Sequence, residues 1–262
     1  MRRREFCGSV VGSCLLATAT TAAAHHDKHK QVRSVFILVH GAWHGGWCWK
    51  KVAPLLRAAG HVVLTPTLTG LGERAHLLHS EIDLETHIQD LVQTIQYEDL
   101  DDIVLVGHSY AGMVIAGAGA VVRDRLRHLV YVDAFLPDNG QALSDYAPVP
   151  PTREDGWRIP PIGRPEAFDV TDAHDVAWMA PRLGDQPVRT FTQPVRLARS
   201  LRKIPATYIQ CTAAPFFSAA AERARQRNFE YRELFSGGHD VMITQPQALA
   251  SLLLEASTRK CG

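Results

Sequence analysis

Residues 103–116 read Ile103-Val104-Leu105-Val106-Gly107-His108-Ser109-Tyr110-Ala111-Gly112-Met113-Val114-Ile115-Ala116. Four apolar residues run directly into a Gly-x-Ser-x-Ala turn, and a pattern of small residues follows. This order predicts a buried strand, a tight turn and a helix, with Ser109 at the apex of the turn. Small residues two positions before and after the serine let the strand and helix approach closely. The second of these is usually glycine and is here Ala111. A Gly-x-Ser-x-small sequence also arises by chance, but the flanking strand and helix favour a nucleophile.

Strand and helix patterns alternate on both sides of this stretch. Apolar runs predict strands at residues 34–41, 61–66, 103–106, 127–135, 207–211 and 230–235. Apolar residues at helical spacing predict helices that begin near Val52, Asp83, Tyr110, Ser218 and Pro246. Alternation of this kind predicts an α/β fold, with a mostly parallel sheet of about six strands and helices on both faces.

The alternation fails between residues 136 and 200. Ten of the chain's 15 prolines lie between Pro137 and Pro194. A segment of this length without core periodicity is unusual for a plain loop. We therefore expect a proline-rich lid, inserted after the strand that ends at Asp133.

The N-terminus has a different composition from the rest of the chain. Residues 1–24 combine a basic start, a mildly apolar stretch and a small-residue cleavage site at Ala22–Ala24, which is typical of a signal peptide. Arg3-Arg4 favours twin-arginine export to the periplasm or medium of a bacterium, and a general secretory signal is the alternative. The apolar stretch is too short for a membrane anchor. Residues 25–33 are then expected to be a disordered leader to a single domain at 34–262.

Net charge and cysteine content further limit the class of protein. The formal net charge is +1, with 21% charged residues among 262, so no nucleic-acid partner is indicated. Removal of the signal peptide would leave Cys48, Cys211 and Cys261. Three cysteines cannot all pair, and we interpret Cys48 and Cys211 as small buried hydrophobic residues.

Several chemically useful residues follow predicted strands: His40, Ser109, Asp133 and His239. The carboxyl ends of parallel strands meet at one edge of a sheet, where sites form in such folds. A serine hydroxyl needs a base to become a good nucleophile, and a neutral imidazole can serve near pH 7. His239 is the best candidate among 13 histidines, because it lies in a glycine-flanked loop before the last helix. The alternative is an ordinary polar loop residue.

Four motifs carry a resemblance to a known family. They are Leu38-Val39-His40-Gly41-Ala42-Trp43-His44-Gly45-Gly46-Trp47-Cys48-Trp49, Gly107-His108-Ser109-Tyr110-Ala111-Gly112, Tyr131-Val132-Asp133-Ala134-Phe135-Leu136-Pro137 and Gly238-His239-Asp240. On these the chain resembles the α/β-hydrolase superfamily over about residues 34–257, in the compact branch of plant methylesterases, hydroxynitrile lyases and bacterial esterases. The resemblance implies an oxyanion hole formed by backbone N–H groups of Tyr110 and Ala42, with Trp43 as a further candidate. It also implies that His40 braces the oxyanion loop, and that neither cofactor nor metal is needed.

The acid of the predicted triad departs from the pattern of the family. Most relatives place an aspartate where this chain reads Thr212-Ala213-Ala214-Pro215. Some α/β-hydrolases supply the acid one strand earlier, and Asp133 stands there. The chain order Ser109, Asp133, His239 fits the order of the superfamily. We assign the acid to Asp133; the alternative is an aspartate that only caps a turn.

These assignments predict a serine hydrolase that cleaves carboxylic esters through an acyl-enzyme. Aromatic residues such as Trp43 and Phe168 favour a small apolar or aromatic ester as substrate, although aromatics also serve simply as packing. A hydroxynitrile lyase is the first alternative, disfavoured because such relatives typically have threonine at Gly41 and lysine at Asp240. A ligand-binding protein on the same fold, without catalysis, is the second. The oligomeric state stays open.

Overall fold

The computed structural model describes residues 33–213 and 215–258. The predicted signal peptide, nearly all of the predicted leader and Cys261 lie outside these residues. No helix within the described ranges is long and apolar enough to cross a membrane.

Six strands form one sheet in the order β2-β1-β3-β4-β7-β8, and every neighbouring pair is parallel. These strands are β1 Val35–Val39, β2 Val62–Leu64, β3 Ile103–His108, β4 Leu126–Val132, β7 Ala206–Cys211 and β8 Glu230–Leu234. A two-residue antiparallel pair, β5 Arg158–Ile159 with β6 Gln186–Pro187, lies apart from the sheet. The predicted six-stranded parallel sheet is confirmed.

The helices lie between the strands, as the alternation predicts. They are α1 Ala53–Ala58, α2 Leu84–Tyr97, α3 Ala111–Val121, α4 Ala173–Met179, α5 Arg189–Thr192, α6 Ser218–Gln226, α7 Val241–Thr244 and α8 Pro246–Ser257. Two packed pairs, α1 with α8 and α2 with α3, flank the sheet. Asp83 begins α2 as expected, since its carboxylate accepts a hydrogen bond from the Thr86 N–H at 2.9 Å.

The centre of the sheet is the core of the protein. All six residues of β3 are buried, and so are all residues of α3 before its last, Val121. A strand covered on both faces by helices has no polar side, which explains its continuous apolar sequence. Cys48 and Cys211 are both free and buried, which confirms the interpretation of these two residues.

Four strands end earlier than the sequence predicts. Those expected at 34–41 and 61–66 end at Val39 and Leu64, and two others end at or near a residue with a left-handed backbone. The strand expected at 127–135 ends at Val132, because Asp133 has a left-handed backbone with φ +42° and takes the chain out of the sheet. The strand expected at 230–235 ends at Leu234, two residues before Ser236 at φ +56°. The apolar pattern continues past both ends, so hydrophobicity alone does not reveal where the pairing stops.

Residues 136–200 form an insert between β4 and β7. It contains β5, β6, α4 and α5, with 3₁₀ turns at Leu143–Asp145, Pro165–Phe168 and Ala180–Arg182. Further 3₁₀ turns elsewhere span Gly46–Lys51, Gly72–Leu77, Arg123–Arg125 and Pro215–Phe217. The insert buries its own apolar residues against the core, among them Phe168, Met179 and Phe191.

Helix α3 lies very close to the chain that leaves β4. A Cβ atom on Gly112 would lie 1.9 Å from the carbonyl oxygen of Phe135. Only glycine allows this approach, which holds the first turn of α3 against residues 133–135.

Gly112→Ala is therefore expected to lower the free energy of unfolding by about 2–3 kcal/mol through overpacking against a rigid backbone. Gly119→Ala, in the same helix, is the matched control. Its added Cβ would meet only the flexible ends of leucine side chains, the nearest being Leu126 Cδ1 at 3.2 Å, so stability should change by less than about 1 kcal/mol. Urea unfolding of both variants measures the difference, and equal effects would contradict this account of the close approach.

Candidate active site

Ser109 lies at the end of β3 in a strained turn, with φ +56°. Its N–H donates to the Val132 carbonyl at 3.2 Å, and its own carbonyl accepts from the N–H groups of Gly112 and Phe135 at 3.1 Å. Left-handed backbone is uncommon for a residue with a side chain and persists only where its surroundings fix it. Here the neighbouring strand end and the first turn of α3 fix it, which supports the interpretation of the turn.

The imidazole of His239 joins Ser109 to Asp133. Its Nε2 lies 3.0 Å from Ser109 Oγ, and its Nδ1 lies 2.7 Å from Asp133 Oδ2. A carboxylate only accepts, so Nδ1 carries the hydrogen and Nε2 presents its lone pair to the serine hydroxyl. The three residues predicted to act together thus form one hydrogen-bonded row, although 130 positions separate the serine from the histidine.

Asp133 is only 1% exposed and is fixed from several sides. Its Oδ1 accepts from the Cys211 N–H at 3.3 Å, and its N–H donates to the Ile209 carbonyl at 2.8 Å. The Tyr208 hydroxyl holds the next peptide: it donates to the Ala134 carbonyl at 2.9 Å and accepts from the Ala134 N–H at 3.1 Å. Strand β7 therefore orients the aspartate, although its own end carries no acid at Thr212 or Ala213.

Two of the three predicted oxyanion donors have free N–H groups. Among the residues that the structure describes, no acceptor faces the N–H of Ala42 or of Tyr110. The N–H of Trp43 differs, because it donates to Gln186 Oε1 at 3.1 Å. We therefore remove Trp43 from the predicted oxyanion hole, because its N–H already donates to Gln186. The backbone of Trp43 is left-handed, with φ +65°.

The insert is fastened to Trp43 by two further hydrogen bonds. The Gly184 N–H donates to the Trp43 carbonyl at 3.0 Å, and the indole N–H of Trp43 donates to the Ile159 carbonyl at 3.2 Å. Gln186 is fully buried and also donates to Thr190 Oγ1 at 2.7 Å. The insert thereby fixes the conformation of the loop next to Ala42, a role that no sequence motif indicated.

His40 braces the same loop from the other side. Its Nδ1 donates to the Gly41 carbonyl at 2.8 Å, and its Nε2 accepts from the Leu68 N–H at 3.1 Å. The ring is neutral, because a nitrogen that accepts a hydrogen bond carries no hydrogen. Burial disfavours the charged form and lowers the pKa of His40 to about 3, although the bond to Gly41 opposes this. Among the described residues, the hydrogen bonds of the His40 ring go to Gly41 and Leu68 and not to Ser109 or His239.

Sequence reasoning missed two residues that hold the His239 loop. Asp169, in the insert, accepts from the His239 N–H at 2.9 Å, and a Cβ on Gly238 would lie 2.1 Å from the Asp169 Cβ. His108 donates from Nε2 to the His239 carbonyl at 2.9 Å. Burial and the nearby His239 lower the pKa of His108 well below its usual value. Its place beside Ser109 was the available signal, whereas nothing in the sequence singled out Asp169.

One group at the site has the composition of a metal site. His108, His239 and Asp240 each offer a ligand atom within 4.8 Å of the others. Hydrogen bonds use both nitrogens of His239 and the Nε2 of His108. Three of the four ring nitrogens of these two histidines are thus hydrogen bonded within the protein, so we assign the group to the hydrogen-bond network of the site.

The geometry agrees with what comparison with known proteins finds. Residues 36–252 match the family model described as "Alpha/beta hydrolase family". The chain belongs to the α/β-hydrolase family. It is 39% identical over 238 residues to a carbendazim hydrolyzing esterase of Nocardioides sp. (strain SG-4G), covering 83% of this chain and 97% of that one.

Plant relatives are more distant. Methylesterase 7 of Arabidopsis thaliana is 25% identical over 259 residues, covering 89% of this chain and 99% of its own. Among solved structures, the Arabidopsis methylesterase MES16 has a TM-score of 0.70 at 26% identity, covering 86% and 99% of the two chains. An Arabidopsis alpha-hydroxynitrile lyase matches over 104 residues only, 39% of this chain and 40% of its own.

The neutral, buried His40 should make stability depend on pH. Its pKa is about 3 in the folded protein against 6.5 for the free side chain, so the unfolded chain binds a proton that the folded one does not. Stability attributable to His40 is complete above about pH 6.5 and falls as the pH drops toward 3, by about 2 kcal/mol between pH 7.5 and 5.

Urea unfolding at the two pH values tests this against His40→Gln, which cannot titrate. The variant should be less stable at pH 7.5 but lose about 2 kcal/mol less than the wild type on acidification, because the other buried histidines contribute equally to both. The same pH dependence in both proteins would contradict a neutral His40.

Proposed function

We propose that the protein is a serine esterase that hydrolyses small carboxylic esters through an acyl-enzyme, with Ser109, His239 and Asp133 as its catalytic triad. The observation that carries the proposal is the imidazole of His239, hydrogen bonded at once to Ser109 Oγ and Asp133 Oδ2. Esterase relatives that align along nearly their whole length add support.

Each group has a defined part in the reaction. The Ser109 hydroxyl attacks the ester carbonyl carbon while its proton passes to His239 Nε2. When the tetrahedral intermediate collapses, the imidazolium returns that proton to the departing alcohol and the acyl group stays on Oγ. A water molecule then attacks the acyl carbon and loses its proton to Nε2, which finally reprotonates Oγ as the acid leaves. Asp133 keeps the hydrogen on Nδ1 and stabilises the imidazolium throughout.

The free N–H groups of Ala42 and Tyr110 form the oxyanion hole in this proposal. Dipoles fixed before the reaction stabilise the negative charge on the carbonyl oxygen without reorganising. Tyr110 is held in place by its side chain, since its hydroxyl lies 2.9 Å from His87 Nδ1 while His87 Nε2 donates to the Thr69 carbonyl at 2.9 Å. Ala42 is held through Trp43 and His40.

Aromatic side chains around His239 favour an apolar or aromatic ester. The Phe217 ring is stacked on the imidazole, with centroids 5.2 Å apart and planes 9° from parallel. Phe135 packs on Phe217 at 4.9 Å, and Phe216 is 65% exposed beside it. The relative named a carbendazim hydrolyzing esterase supports a small-molecule ester as the substrate. We regard the insert as a lid over this side of the sheet.

The alternatives have less support. Gly41 packs against Ser109, since a Cβ there would lie 3.0 Å from the serine Cβ; the threonine typical of hydroxynitrile lyases would need this space. Asp240 is buried, where such enzymes have lysine. Release of cyanide from mandelonitrile would support the lyase instead. A ligand-binding protein would bind esters without turning them over.

We further propose export by the twin-arginine route, supported by Arg3-Arg4 and the small residues at Ala22–Ala24. Mass spectrometry of the mature N-terminus from exported protein would identify the cleavage site. Arg3→Lys with Arg4→Lys should retain the precursor in the cell.

Ser109→Ala is expected to abolish hydrolysis of a short p-nitrophenyl ester, since no other group replaces the nucleophile. Release of p-nitrophenol measures activity, and circular dichroism checks the fold. Ser251→Ala, which removes an exposed hydroxyl on α8, should keep full activity. Hydrolysis at the original rate by Ser109→Ala would show that the nucleophile assignment is wrong.

Asp133→Asn is expected to lower kcat by about 10³–10⁴-fold, because the amide N–H can donate to Nδ1 and place the imidazole hydrogen on Nε2, facing the serine. Asp138→Asn removes an exposed carboxylate five residues later, paired with Arg227, and should change kcat less than twofold. The same ester assay compares them, and a larger loss for Asp138→Asn would sink the assignment of the acid.

A further inference from the structure

A second histidine–aspartate pair lies beside the row of Ser109, His239 and Asp133. His44 Nε2 is 2.8 Å from Asp240 Oδ2, and the two side chains are 1% and 0% exposed. His44 belongs to the loop that begins with Ala42, and Asp240 directly follows His239. The pair therefore connects the loop of the proposed oxyanion hole to the loop of the proposed base.

The contacts of His44 fix its charge. Its Nδ1 lies 2.6 Å from the Ala42 carbonyl oxygen while its Nε2 faces the carboxylate of Asp240. Both partners only accept, so both ring nitrogens donate and the ring is an imidazolium. Burial alone lowers the pKa of His44, but Asp240 and the Ala42 carbonyl outweigh it and the pKa is raised. Burial raises the pKa of Asp240, yet the charge of His44 outweighs it and holds the pKa below its usual value.

Stability does not explain why such a pair is present. A buried ion pair is often no more stabilising than apolar residues of the same size, because two charges must be taken out of water. Asp240 Oδ1 is also buried with no hydrogen-bond partner among the described residues, and His108 Nε2 is 3.9 Å away. A buried oxygen left in this state requires an explanation.

The orientation of the His44–Asp240 pair supplies this explanation. Its positive end is hydrogen bonded to Ala42, and its negative end lies beside His239, with a carboxylate oxygen of Asp240 within 4.8 Å of a ring nitrogen of His239. Acyl transfer develops negative charge on the carbonyl oxygen and positive charge on the base. The positive end of the pair therefore lies on the side of the negative carbonyl oxygen, and its negative end lies beside the positive base. In this orientation the pair stabilises both charges.

We propose that His44 and Asp240 are positioning residues that lower the barrier of ester hydrolysis, the imidazolium through the oxyanion loop and the carboxylate through the protonated form of His239. This inference rests on the proposed function. It assigns Asp240 a part distinct from Asp133, which fixes the ring of His239 by direct contact.

Other ionisable groups also surround His44 and His239, and Asp240→Asn leaves each of them in place. Asp133 and Asp169 contact His239, the His108 ring lies 4.5 Å from it, and His40 is neutral. Burial raises the pKa of the Cys48 and Cys211 thiols, which are therefore uncharged.

Asp240→Asn tests the charge while preserving the bridge. The amide N–H of asparagine can donate to Nε2 of a neutral His44, whose Nδ1 still donates to Ala42. We expect kcat to fall about tenfold, less than for loss of a direct oxyanion donor, with KM changed less than twofold. The acid limb of the kcat/KM profile should move down by about 0.5–1 pH unit, because a nearby carboxylate favours the protonated imidazole.

Asp102→Asn is the matched control. Asp102 pairs with Arg127 and precedes β3, at the opposite edge of the sheet from the site, so kcat and the acid limb should stay as in the wild type. Unchanged kcat and acid limb in Asp240→Asn would overturn the proposal. A lower kcat with an unmoved acid limb would overturn it as well, because it would show a purely structural role.

Two further experiments test the proposal in case Asp240→Asn fails to fold. The double variant His44→Gln with Asp240→Asn replaces the ion pair by an amide pair and should show the same downward shift. In the wild type, ¹⁵N-histidine NMR should show both His44 nitrogens protonated from pH 6 to 8, and a neutral ring would overturn the proposal. This spectrum needs no activity, whereas inactivity of the wild type toward esters would refute the proposed function alone.

Discussion

The hydrogen-bonded ring of His239 is the contact around which the site is built. It requires three strand ends to meet within a few ångströms: β3 brings Ser109, β4 brings Asp133 and the chain after β8 brings His239. Strands β3, β4, β7 and β8 pair in parallel, so all four end at the same edge of the sheet. This shared edge brings the three side chains together. Two of the three residues have left-handed backbones, Ser109 at φ +56° and Asp133 at φ +42°. These turns take both side chains out of the sheet, and the close packing of Gly112 maintains them.

Fixing this contact uses residues from the whole chain. Strand β7 clamps the peptide after Asp133 through Tyr208, and the insert holds His239 through Asp169 and Trp43 through Gln186. In the proposed mechanism, groups held in this way need not reorganise as charge develops. The insert thus shapes the site by direct contact, although Asp169 and Gln186 lie far from His239 and Trp43 along the chain.

Much of this could be predicted from the sequence. The apolar runs of β3 and β4 and the Gly-x-Ser-x-Ala turn indicate a buried parallel sheet with a nucleophile at its edge, and the family and the sheet are confirmed. Placing the acid at Asp133 followed from the absence of an acid after β7. It stays a proposal, supported by the 2.7 Å contact of Asp133 Oδ2 with His239 Nδ1. The site prediction that failed depended on a contact between residues that are far apart in the sequence. Trp43 was included as an oxyanion donor because nothing near it shows that Gln186, 143 residues away, accepts its N–H. The partners of Asp169 and Asp240 were hidden for the same reason.

The central claim, that Ser109 is the nucleophile of an esterase, is tested most directly by a fluorophosphonate probe. The account predicts that one equivalent is bound covalently, that peptide mass spectrometry finds it on Ser109, and that ester hydrolysis is lost in proportion to labelling. Loss of activity with the label on another residue would contradict it, as would continued hydrolysis by fully labelled protein.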